Sequence, residues 1–177
     1  MGKLSIVVVL VILSTSLVSA LGFQKDATYL GPTIGFAFGG EGIGVNGEYA
    51  IDKNWGIGGE ISYAGFTDHV TGVDYAARWK YRFIGVLAAG SYHFILKDKP
   101  QLDPYLKAGL GYFHWSADYS DNFGNMYSNL YSAGYSSGVG IEGEAGGRYF
   151  FKPNMALRVQ IGYPFYLGVG LDFVKLR

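Results

Sequence analysis

Eight charged residues stand at alternate positions in segments otherwise built of apolar and small side chains: Glu48, Glu60, Glu142, Glu144 and Asp172, with Lys107, Arg148 and Arg158. Five acids and three bases gathered in one narrow space can form a paired, hydrogen-bonded plug, because isolated charges in a low-dielectric interior are costly. They can equally form a proton or small-ion path that works by rearranging those pairs. The excess of acid must be met by protons, trapped water or cations. One further pattern has nucleophilic potential. His114-Trp115-Ser116 places an imidazole and a hydroxyl two residues apart, on one face of an extended chain. No carboxylate stands out nearby to complete a triad, so catalysis is not expected. His69 and His93 lack metal-ligand partners at useful spacing, and Asp118, Asp121, Asn122 and Asn125 do not match a calcium loop. We expect no metal and no cofactor.

The elements that position the eight charges are legible from a period of two. From Val139 to Phe151 the odd positions read Val, Ile, Gly, Ala, Gly, Tyr, Phe, while even positions carry Glu142, Glu144 and Arg148. After Lys152-Pro153-Asn154 the pattern resumes as Met155, Leu157, Val159, Ile161 and Tyr163 against Arg158 and Gln160. Past Pro164, Phe165, Leu167, Val169, Leu171 and Phe173 face one way, and Tyr166, Gly168, Gly170 and Asp172 the other. Such alternation marks strands with one apolar face. The same pattern runs through 30–38, 43–51, 55–63, 81–94 and 106–112, with Glu48, Glu60 and Lys107 on the face opposite the apolar one. Eight strands result. Turns at 39–42, 52–54, 97–101 and 152–154 are short, whereas polar loops are expected at 66–80 and 116–136.

Composition agrees with one all-β domain. The chain has 177 residues, 49% hydrophobic and 17% aromatic, which excludes general disorder. Its 28 glycines and 15 tyrosines suit short strands and turns. The 14 basic and 14 acidic residues balance, so nothing points to nucleic acid. Without cysteine there is no disulfide framework, thiolate metal site or thiol nucleophile. At the N-terminus, Lys3 precedes the apolar run Leu4–Leu13 and the small, polar stretch that ends Val18-Ser19-Ala20. These are the parts of a secretory signal peptide, with cleavage expected after Ala20 and residues 21–177 as the mature domain. Loss of Lys3 leaves 13 basic against 14 acidic residues, a net charge of −1.

A soluble barrel and a membrane barrel share this alternation, and volume separates them. An eight-stranded barrel has an interior just wide enough to be filled by side chains. The apolar set, with a dozen or so Tyr, Phe and Trp, cannot fit there. The opposite, mostly Gly, Ala and Ser set fits. The apolar face therefore meets lipid, and closure follows because an open edge in hydrocarbon leaves backbone groups unpaired. Tyr49, Trp55, Tyr92, Phe94, Tyr149 and Phe151 gather toward the short-turn end as an interfacial girdle, and Phe38, Tyr63, Tyr112, Tyr163 and Phe165 form a thinner set at the other.

Three stretches carry a family resemblance: Pro104 to Tyr112, Gly146 to Tyr163, and the last strand with Tyr166, Gly168, Leu171 and Phe173. Together they resemble the small bacterial outer-membrane β-barrel proteins, eight-stranded and of the OmpA transmembrane-domain, OmpX and opacity type. The resemblance implies an antiparallel up-and-down transmembrane barrel with periplasmic termini and long loops outside, and the last strand is similar to the signal read by the barrel-assembly machinery. It departs from that signal in the four residues after Phe173. The His-x-Ser step also occurs in outer-membrane lipid A deacylases, but no asparagine follows Ser116 and the rest of that motif is missing. The expected function is non-enzymatic: envelope integrity or surface interaction by a monomer, through an extracellular ligand at 66–80 and 116–136. The Tyr, Ser, Asn and Gly of the second loop resemble a recognition surface. The alternative is a narrow porin-like channel, with a lipid-modifying enzyme as a minor one.

Overall fold

The computed structural model describes residues 22–37, 40–72, 75–122 and 136–176. The expected signal peptide at 1–20, Phe38 and most of the 116–136 loop lie outside them. Eight strands follow in order: β1 (Thr28–Ala37), β2 (Gly40–Ala50), β3 (Trp55–Gly72), β4 (Tyr75–His93), β5 (Leu102–Asp121), β6 (Gly138–Lys152), β7 (Met155–Tyr163) and β8 (Phe165–Lys175). Each pairs antiparallel with its neighbour in sequence, and β8 returns to β1 to close the barrel. Closure gives every strand a partner on both sides, which a sheet in hydrocarbon requires.

Side-chain facing follows the two-residue period. Leu30, Ile34, Ile43, Ile61, Val86, Leu110, Ile141, Ile161 and Val169 are exposed on the outer wall, while the residues between them point into the barrel. Inward glycines leave room for large side chains reaching across from other strands. A Cβ at Gly146 would overlap the Tyr105 ring, and one at Gly170 would lie 2.7 Å from the Arg158 guanidinium.

The structure corrects the sequence reading in four places. First, 66–80 is not a loop. β3 and β4 stay in register from Trp55↔Tyr92 to Gly72↔Tyr75 and are 18 and 19 residues long, well beyond the roughly nine to eleven that a tilted strand needs to cross hydrocarbon. Cross-strand aromatic contact supports the extension: the Phe66 and Tyr81 rings stack at 4.6 Å. Second, β5 continues through Asp121, so the 116–136 loop begins later. Its extension is held by the Arg82–Asp118 ion pair at 2.5 Å and by Trp79 against Tyr119 at 5.1 Å. Third, Phe165 is buried inside the barrel and Tyr166 is exposed outside. The β1–β8 register shifts at Phe36/Ala37, which changes the parity at the start of β8. The turn placed at 39–42 is also shorter, since β2 begins at Gly40.

Candidate functional site

The lumen holds two tiers of charge. All eight residues singled out from sequence are inside it, and all but Lys107 are buried. In the tier nearer the short turns, Arg148 on β6 is the hub: its Nε donates to Asp172 Oδ2 at 2.7 Å, its Nη1 to Asp103 Oδ2 at 3.3 Å and its Nη2 to Glu48. A planar fork with five donors is suited to bridging three carboxylates. Arg158 on β7 donates to Asp172 Oδ1 at 3.1 Å, to Thr33 Oγ1 at 2.8 Å and to Gln160.

His93 and Asp103 complete this tier. His93 Nδ1 lies 2.7 Å from Asp103 Oδ1 and its Nε2 lies 2.8 Å from Glu48 Oε1. Ionised carboxylates only accept hydrogen bonds, so an imidazolium satisfies both contacts. Glu48, Asp103 and Asp172 are then balanced by Arg148, Arg158 and His93. In the sequence His93 stood out only as a histidine without metal-ligand partners, and Asp103 did not stand out at all. The alternation of β5, which also points Tyr105 inward, was the available signal for Asp103. The same strand alternation sends Tyr29, Phe83, Phe113 and Phe150 inside, so the lumen is more aromatic than the expected Gly, Ala and Ser lining.

The second tier is centred on Lys107. Its Nζ lies 2.7 Å from Glu142 Oε1, 2.7 Å from Glu144 Oε2 and 3.7 Å from Glu60 Oε2. Apart from the Lys107 ammonium, both Glu142 oxygens, Glu144 Oε2 and Glu60 Oε1 are buried without a hydrogen-bond partner among the described residues. The three carboxylates offer oxygens within 4.8 Å of one another, a spacing that suits a metal ion, but the Lys107 ammonium stands among them as the cation. Asn46 Nδ2 reaches Glu60 Oε2 at 3.4 Å. Gln160 joins the tiers by donating to Glu144 Oε1 at 2.7 Å while accepting from Arg158. With Asp103 counted, six acids face three permanent bases and His93, and the acid excess is concentrated around Lys107.

Apolar clusters close the barrel above and below these tiers. At the short-turn end Ala27, Tyr29, Ala50, Phe150 and Ala156 pack together, with Phe23 and Val174 against them. Toward the long hairpins Ala37, Ala64, Phe83, Leu87, Phe113 and Phe165 do the same, flanked by Trp115 and Tyr163. The segment before β1 is pinned to the short-turn end by Gly22 N–H to Pro100 O at 3.0 Å and Asp26 N–H to Ala50 O at 2.8 Å.

On the outer wall Trp55, Phe94 and Tyr149 are exposed, and Tyr49, Tyr92 and Phe151 are half-buried. Tyr92 contacts Trp55 at 5.0 Å and Phe94 at 5.1 Å. On β8, Tyr166 and Phe173 are exposed, Leu171 is half-buried and Gly168 faces inward, 3.0 Å from the Gln160 stem for an added Cβ. His114 is exposed, and its Nδ1 meets Ser137 Oγ at 3.2 Å instead of Ser116. Among the described residues no carboxylate bonds to His114, so the geometry supplies no triad there.

Comparison with known proteins agrees with this architecture. The family model described as outer membrane protein beta-barrel domain matches residues 7–174. No curated protein sequence matches. Among solved structures, the outer membrane protein OprG from Pseudomonas aeruginosa is similar at 12% identity, covering 88% of this chain and 92% of its own, with a TM-score of 0.56. The N-terminal β-barrel domain of Pseudomonas aeruginosa OprF is similar at 16% identity, with coverage of 85% and 98% and a TM-score of 0.51. A de novo designed transmembrane β-barrel is similar at 18% identity, with coverage of 86% and 98% and a TM-score of 0.52. At these identities the likeness concerns the fold.

Proposed function

Because this chain belongs to the outer-membrane β-barrel protein family, we propose that it is a plugged, non-enzymatic barrel of the outer membrane, serving envelope integrity or surface contact. In this reading the short turns face the periplasm and the long β3–β4 and β4–β5 extensions stand outside. The observation that carries it is the filling of the lumen: aromatic clusters at both ends enclose a paired charge network. A solute would have to displace Phe23, Tyr29 and Phe150 at one end and Phe83, Phe113 and Phe165 at the other. The girdle residues Tyr49, Trp55, Tyr92, Phe94, Tyr149 and Phe151 anchor the wall, with Tyr166, Gly168, Leu171 and Phe173 as the stretch offered to the assembly machinery. The extracellular contact surface is the extended sheet of 66–80 and 116–121 with the segment that follows it.

A narrow channel is the second reading. It draws on the continuity of the polar network, which runs from His93 through Arg148, Asp172, Arg158, Gln160 and Glu144 to Lys107. Planar-bilayer recording separates the two. The plugged barrel gives no steady conductance; a steady current abolished by substituting Arg148 or Arg158 overturns it in favour of the channel.

A further inference from the structure

The outward face of β4 changes character at one point. Val86 and Ile84 are exposed and apolar, and the next three outward positions toward the long-hairpin end are Arg82, Lys80 and Arg78. Register places them directly beyond the rim formed by Tyr63, Ile84 and His114: Arg82 lies between Gly65 and Ser116, Lys80 between Thr67 and Asp118, and Arg78 between His69 and Ser120. The other cations of the mature chain are elsewhere. Lys25, Lys53, Lys97, Lys99, Lys152 and Lys175 lie at the short-turn end, Lys107, Arg148 and Arg158 lie in the lumen, and Arg177 ends the chain. The positive charge of the long-hairpin half is therefore concentrated on one strand.

The neighbours leave these cations accessible. Gly65, Thr67, Ser116 and Ser120 are small, and the hydroxyls among them can donate hydrogen bonds. Two acids share the outer face: Asp118, which pairs with Arg82 at 2.5 Å, and Glu41 on β2, which borders a depression of about 270 Å³ that Lys80 also lines. Among the described residues Arg78 and Lys80 form no ion pair. A second depression of about 190 Å³ lies between Arg78, Lys80 and Asp118, with Tyr119 and Ser120. From Arg78 to Arg82 the strand advances about 13 Å. At a tilt of about 40° this covers roughly 10 Å of height, enough to span the roughly 5–8 Å of a headgroup layer.

We propose that Arg78, Lys80 and Arg82 form a ladder that binds the phosphate groups of anionic, phosphorylated lipids in the leaflet surrounding the long-hairpin end. Continuity with the lipid-facing wall carries the assignment. A cation outward on the same strand face as Ile84 and Val86 meets the headgroup of the lipid whose chains those residues touch. Lipid A as the natural source of those phosphates rests on the orientation given under Proposed function, whereas the ladder itself does not.

The test uses the full mature protein folded in zwitterionic detergent and titrated with bis-phosphorylated lipid A, with dephosphorylated lipid A, and with inorganic phosphate. We expect the phosphorylated lipid to bind at least ten-fold more tightly than the dephosphorylated one, with inorganic phosphate alone failing to compete at millimolar concentration. Each cation contributes about five-fold near an anionic lipid surface, so R78Q/K80Q/R82Q should lose most of that preference, whereas K97Q/K99Q at the opposite end keeps it. Equal preference in the triple variant, equal affinity for the two lipids, or full competition by inorganic phosphate overturns the ladder. Orientation is read separately: Thr71→Cys labelled by a membrane-impermeant maleimide on intact cells places the hairpin outside. Absence of labelling with the phosphate preference intact would sink the orientation and leave the ladder standing.

Discussion

The ring of Phe23 lies flat against the imidazole of His93, with 3.5 Å between centroids and 3° between planes. Phe23 precedes the first strand, yet it covers the Glu48–His93–Asp103 contacts from the short-turn side and stacks on Tyr29 at 5.2 Å. The pre-barrel segment is thus part of the seal.

Truncation of that ring should loosen the seal without opening it. A fully buried Phe cut to Ala costs about 3–5 kcal/mol; for the half-buried Phe23 we expect about 2 kcal/mol from Phe23→Ala in guanidinium unfolding. Tyr29 and Phe150 still close the end, so bilayer conductance stays at baseline. A loss under 0.5 kcal/mol would show that the stack contributes little.

Arg148 should be the most costly single charge to remove. Arg148→Met leaves Glu48, Asp103 and Asp172 facing one another without their shared cation, and breaking a buried pair from one side costs about 3–5 kcal/mol. Arg148→Lys retains the charge but not the fork, so it should recover only part of the loss. A double-mutant cycle with Asp172→Asn should return a coupling of about 1 kcal/mol or more. Additive effects would mean the pair is not coupled.

Around Lys107 the sign reverses for the acids. Three carboxylates converge on one ammonium, and beyond it neither Glu142 oxygen has a hydrogen-bond partner among the described residues. Glu142→Gln removes like-charge repulsion, and we expect a gain of about 1 kcal/mol in unfolding free energy. Lys107→Met removes the cation that these three carboxylates share and should cost about 3 kcal/mol or more. Destabilisation by Glu142→Gln comparable to that by Lys107→Met would contradict this account.

Gly146 tests the packing of the lumen independently of charge. A Cβ there overlaps the Tyr105 ring, so Gly146→Val should abolish the compact band that a folded barrel gives on an unboiled gel, while wild type shifts mobility on boiling. Tyr105→Ala in the same chain vacates the space and should restore the band. Failure of wild type to shift at all would count against the closed barrel.

The sequence by itself determined which way most side chains face. Alternation is a local property of each strand, so Leu30, Ile61 and Val159 could be sent outward and Glu60, Arg148 and Asp172 inward without knowing any neighbour. Volume then decided that the apolar face meets lipid. What local pattern could not supply was partnership. Arg148 and Glu48 are 100 residues apart, and they meet because register and closure bring β6 and β2 to face each other across the lumen. The same cause joins His93 to Glu48 and unites Glu60 with Glu142 and Glu144. Tertiary structure also overrode the pattern where register changed. The shift against β1 turned Phe165 inward and Tyr166 outward, and uninterrupted pairing carried β3 and β4 through residues whose polarity reads as loop. Facing is set by chain geometry one residue at a time, whereas contact across a barrel is set by the pairing of all eight strands together.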